Sequence, residues 1–109
     1  MIRSEFVIRN NKILAFSVQG HSGLAEAPHD ILCASVSAMT QLVINTLQEV
    51  VGVKADACIE EEKPLISLQI VSVPQGQEKT VEAILQGFYL QMQDLEKTYP
   101  AYLSVRMKK

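Results

Sequence analysis

The sequence predicts an α+β two-layer sandwich, a mostly antiparallel sheet with two helices on one face, in the order ββαββαβ. Three observations lead there. Five short segments alternate apolar and polar residues or run apolar between turn signals, as strands do. Two longer segments repeat apolar residues every three or four positions, as helices do. Tight turns join strands in pairs, so hairpins and helices take turns along the chain. The 109 residues make one domain, residues 1–109, and 48% hydrophobic content gives it a core without a metal or disulfide staple.

Residues 2–9 form the first strand, with Phe6 and Ile8 on one face. Asn10-Asn11 makes the turn, because asparagine tolerates positive φ. Residues 13–19 return, with Leu14, Phe16 and Val18 expected to point inward. Residues 20–29 read as a loop containing Gly20, Gly23 and Pro28. Asp30 then caps a helix that runs to about Val51 and stops at Gly52. Its core face is Leu32, Val36, Met39, Val43, Leu47 and Val50, with Ser37, Gln41, Asn45 and Gln48 opposite. Residues 53–60 and 65–72 form a second strand pair around the charged turn 60–64. A second helix spans about 77–97, with Val81, Ile84, Leu85, Phe88, Met92 and Leu95 at helical spacing. Gly87 within it marks an expected close approach of helix to sheet. The last strand follows Pro100, alternating Leu103, Val105 and Met107.

Charge excludes several functions. Ten basic and twelve acidic residues give a net charge of −2, against a general nucleic-acid binder. Between Lys12 and Lys54 there is no Lys or Arg, so basic side chains build no phosphate site there. Ile31 to Gln48 carries no charge at all, which predicts a helix covered around much of its circumference by a second layer or a partner subunit. The polar residues Thr40, Gln41, Asn45, Thr46, Gln48 and Glu49 argue against that stretch as a membrane span. The first ten residues lack a secretory apolar core, so a cytoplasmic setting with two free thiols, Cys33 and Cys58, is expected. No ligand-spaced Cys/His cluster, CxxC pair, GxSxG elbow or P-loop is present, so no metal or other cofactor is expected.

Chemistry concentrates in residues 20–37, GHSGLAEAPHDILCASVS. With Asp30 as cap, Cys33 falls at the third helical position. There the unpaired first-turn amides and the helix dipole favour a nucleophilic thiolate. A thiolate nucleophile needs a proton acceptor and donor. His21 is the candidate between two glycines, and His29, just before the cap, is its rival. Backbone amides at the helix start, that of Cys33 included, are the expected oxyanion donors. Cys58, beside Ile59 in a strand, reads as core filler.

At these residues the chain resembles the bacterial ribosomal-processing cysteine proteases (Prp). The matching text is Gly20-His21-Ser22-Gly23, Ala25-Glu26, and Asp30-Ile31-Leu32-Cys33-Ala34-Ser35-Val36-Ser37, within a similar length and order of elements. The resemblance implies a cytoplasmic, homodimeric cysteine endopeptidase. It implies as substrate the precursor of large-subunit ribosomal protein twenty-seven, from which a short apolar, Phe-containing N-terminal extension is removed. It makes His21 the base and Cys33 the nucleophile, gives Asp30 and Ser37 supporting roles, and makes Gly20 the glycine that lets the loop approach the site. Neither nucleic acid nor membrane is an expected partner. Many relatives have glycine where this chain has Pro28, which bears on loop stiffness and substrate access. Two other readings compete: a non-catalytic ribosome-assembly or peptide-binding module of the same fold, and a thiol redox sensor, which lacks a nearby resolving cysteine.

Overall fold

A computed structural model describes residues 1–21, 30–60 and 65–109. The strands are β1 (Ile2–Arg9), β2 (Lys12–Gln19), β3 (Lys54–Glu60), β4 (Leu65–Ser72) and β5 (Leu103–Lys108). The helices are α1 (Ile31–Asn45), continued by a π-helical segment Thr46–Val51, and α2 (Glu78–Thr98). The order ββαββαβ is therefore observed. One sheet forms in the order β3-β4-β2-β1-β5. All neighbours are antiparallel except β1 and β5, which run parallel. Most of the turn between β3 and β4, residues 61–64, lies outside the described residues.

Both helices cover the same sheet face. Phe6 of β1 and Phe16 of β2 meet Phe88 of α2 edge-on, with ring centroids 5.4 and 5.0 Å apart. Leu32, Val36, Val43, Ile44 and Leu47 of the first helix join the same core. Polar groups in that core are satisfied locally: the Thr40 hydroxyl donates to the Val36 carbonyl at 2.6 Å, and the Ser4 hydroxyl to the Ser104 carbonyl at 3.0 Å. By length and composition alone Ile31–Val51 could cross a membrane. Its inward residues pack into this core, while Ile31, Leu42 and Val50 stay exposed.

Three expectations about the elements are corrected. Leu14 does not point inward with Phe16. Val7 pairs with Ala15 and Ile8 with Ile13, so Leu14 is the extra residue of a β-bulge and is exposed, while Ile13 takes the core position. Val50 is 80% exposed rather than buried, because the wider π-helical turn shifts the phase of the last residues. Gly87 is exposed with open space around it, so no close helix–sheet approach occurs there. The first turn and the helix stop are as expected: Asn10 and Asn11 have φ of 52° and 62°, and Gly52 ends the helix at φ 85°.

Candidate functional site

The site forms at one end of the sheet, where β2 and β3 finish, β1 and β4 begin, and α1 starts. A groove of about 320 Å³ opens there. Its α1 wall carries Cys33, Ser37 and Gln41, one helical turn apart from each other. Its opposite wall carries Ile59, Leu65 and Ile66 from the β3–β4 hairpin. Gly20 and His21, just past the end of β2, complete one end. The structure thus brings His21, Cys33, Ser37 and Gly20 to a single groove.

Local sequence positions each of these. The Asp30 carboxylate accepts the Cys33 N–H at 2.9 Å, and the Asp30 carbonyl accepts the Ala34 N–H at 3.1 Å. Asp30 is buried, so the cap is held by the fold as well as by the helix. The helix therefore starts at Ile31, as expected, and Cys33 stands half-buried at the edge of the core face. One expectation falls here. The Cys33 amide is already engaged by Asp30, so it is not an open oxyanion donor while the cap is closed. The first-turn amides of Ile31 and Leu32 are the ones that precede the intrahelical ladder.

Gly20 has φ of +95°, and a Cβ built on it would lie 2.5 Å from the Met1 carbonyl oxygen. Only glycine fits, since the chain leaves β2 in a left-handed conformation pressed against the start of β1. His21 follows directly and is exposed. The rival His29, the departure at Pro28, and closure of the loop over the helix start concern residues 22–29 and lie outside the described residues.

Cys58 is not core filler. It pairs with Ser67, which pairs with Ser17, on the sheet face away from both helices. It is half-buried, and its thiol donates to the Glu60 carboxylate at 3.6 Å. Partial burial, then this hydrogen bond and the carboxylate's negative charge, push the Cys58 thiol above its ordinary value. The alternation that puts Ile59 toward the helices turns Cys58 away from them, so the two thiols occupy opposite faces. Among the described residues, no group of three His, Cys, Asp or Glu is arranged to hold a metal.

Comparison with known proteins decides the family. The family model for cysteine protease Prp matches residues 1–104. The chain belongs to the Prp cysteine protease family. Solved structures share its fold across 99% of this chain. The essential ribosomal processing protease Prp from S. aureus, in complex with a covalently linked product peptide, superposes with a TM-score of 0.88 at 22% identity, and all of that chain is covered. The same S. aureus protease with a substrate peptide gives 0.83 at 20%, again with all of that chain covered. SMU.848 from Streptococcus mutans gives 0.85 at 19%, with 94% of that chain covered. No curated protein sequence matches.

Sequence reasoning missed the walls of this groove. Gln41 was legible in principle, because Cys33, Ser37 and Gln41 recur at intervals of four along one helix flank. Ile59, Leu65 and Ile66 carried no such signal. They reach the site only because β4 lies next to β2, and strand order is not written in local periodicity.

Proposed function

We propose that this protein is a cysteine endopeptidase that removes the N-terminal extension from the precursor of large-subunit ribosomal protein twenty-seven. The observation that supports the reading is that His21 and Cys33 both line one groove at a helix start, in a chain of the Prp family. Peptide complexes of the S. aureus protease support a peptide as substrate. The apolar wall of Ile59, Leu65 and Ile66 suits an apolar, Phe-containing extension.

In the reaction, the Cys33 thiolate attacks the scissile carbonyl. His21 holds the proton taken from the thiol and delivers it to the leaving amine as the C–N bond breaks. The extension stays on Cys33 as a thioester. Water, deprotonated by His21, adds to the thioester, and Cys33 leaves with the returned proton. Amides of the first helical turn stabilise the oxyanion in both steps. Asp30 supports this by fixing where the helix begins, and with it the position of Cys33. Ser37, half-buried one turn beyond Cys33, borders the groove.

The protein acts in the cytoplasm as a homodimer in this reading. The outward side of α1 supports the dimer: Ile31 and Leu42 are each 65% exposed, eleven residues apart and so on one side of the helix. A peptide spanning the extension junction tests the activity. Cleavage by the native chain that is lost in Cys33→Ala and in His21→Ala supports it. Binding without cleavage favours a peptide-binding module instead.

A further inference from the structure

Resting on the protease reading, we infer that Gln41 is a substrate-positioning residue that binds the peptide backbone about three residues away from the scissile bond. The groove has two unlike walls. Cys33, Ser37 and Gln41 give α1 a polar rail, while Ile59, Leu65 and Ile66 give the hairpin an apolar wall. An extended peptide lying between them turns alternate side chains toward the apolar wall, and its backbone N–H and C=O groups, set at right angles to those side chains, face the floor and mouth of the groove, where the long Gln41 side chain can meet them. Eight residues of helix separate Gln41 from Cys33, an axial distance of about 12 Å. Helical side chains lean toward the N-terminus, which brings the Gln41 carboxamide back toward Cys33. At about 3.3 Å per residue of extended peptide, that reach corresponds to roughly three residues.

The carboxamide suits the role. It holds one acceptor and two donors, so it can meet a peptide N–H and C=O together. It is exposed over the groove, and no described residue engages it. Gln48, further along the helix, is used differently: its amide is tied to the Ala55 carbonyl at 3.2 Å, anchoring the helix to β3. Gln41 has no such structural task. The sheet-side wall selects for apolar side chains, and Gln41 supplies length dependence that is independent of their identity.

Precursor peptides truncated one residue at a time from each end provide the test. Their binding is measured by fluorescence anisotropy on Cys33→Ala and on Cys33→Ala/Gln41→Ala, and their cleavage on the native chain and Gln41→Ala. The expected result is a step in affinity of about three- to tenfold at the third residue on one side of the junction, the worth of one or two hydrogen bonds. That step disappears with Gln41→Ala, and the loss appears in KM rather than kcat. A step of unchanged size in the Gln41→Ala background overturns the inference and leaves the protease reading intact. Binding with a Gln41-dependent step but no cleavage overturns the protease reading and with it the positioning role, leaving Gln41 as a peptide-binding residue. Absence of binding by every peptide overturns both.

Discussion

Replacing Asp30 by alanine removes the cap that fixes the start of α1, and with it the position of Cys33. The Asp30 carboxylate is buried and accepts the Cys33 N–H at 2.9 Å. Loss of an N-cap acceptor costs about 1 kcal/mol, within a range of about 0.5–2 kcal/mol. Loss of the negative charge at a helix N-terminus adds about 0.3–1 kcal/mol. Together they predict destabilisation of about 1.5–2 kcal/mol for Asp30→Ala. In a domain of this size that corresponds to a fall in Tm of roughly 6–16 °C. At the cap, Asp30→Asn keeps an acceptor and loses the charge, a cost there of about 0.3–1 kcal/mol. Equilibrium urea unfolding of the three proteins measures this, provided the slope is the same for all. If Asp30→Ala unfolds within about 0.3 kcal/mol of the native chain, or if Asn is as damaging as Ala, the cap is not what holds the helix start, and the reasoning fails.

Gly20→Ala should lower stability by about 2 kcal/mol or more, read from the shift in the urea midpoint, because it combines a left-handed φ with a clash against the Met1 carbonyl. Cys58 should alkylate with a pH midpoint above that of an ordinary thiol, since its raised pKa keeps it protonated to higher pH. Glu60→Ala removes both the hydrogen bond and the charge, two of the three causes, and should move that midpoint down, as followed by mass spectrometry of the Cys58 peptide. Leu42→Glu places a charge on the exposed apolar side of α1 and, for the proposed homodimer, should shift sedimentation toward monomer.

Much of this architecture can be read from the sequence because local chemistry and the fold agree. Asn10-Asn11, Asp30 and Gly52 sit where turn, cap and stop are observed, since each position needs the backbone conformation or hydrogen bond that its residue supplies. Inward residues were harder to read wherever the regular period broke. A single inserted residue at Leu14 exchanges the faces of β2, and a π-helical turn carries Val50 out to solvent. Both are register effects, invisible to a count that assumes period two or 3.6. The site divides in the same way. Cys33 and its cap follow from helix-start chemistry, and His21 from its place beside a glycine that a left-handed turn requires. The engaged state of the Cys33 amide and the apolar wall across from it depend on three-dimensional placement that spacing alone does not contain.

In the proposed reaction the released extension passes through a thioester on Cys33. Acid quenching during turnover of the precursor, followed by peptide mapping, tests this most directly. The expected result is a transient adduct on the Cys33 peptide whose mass is that of the free extension less one water, absent in Cys33→Ala along with cleavage. Cleavage that persists undiminished in Cys33→Ala, with no adduct at any time in the native chain, would contradict it.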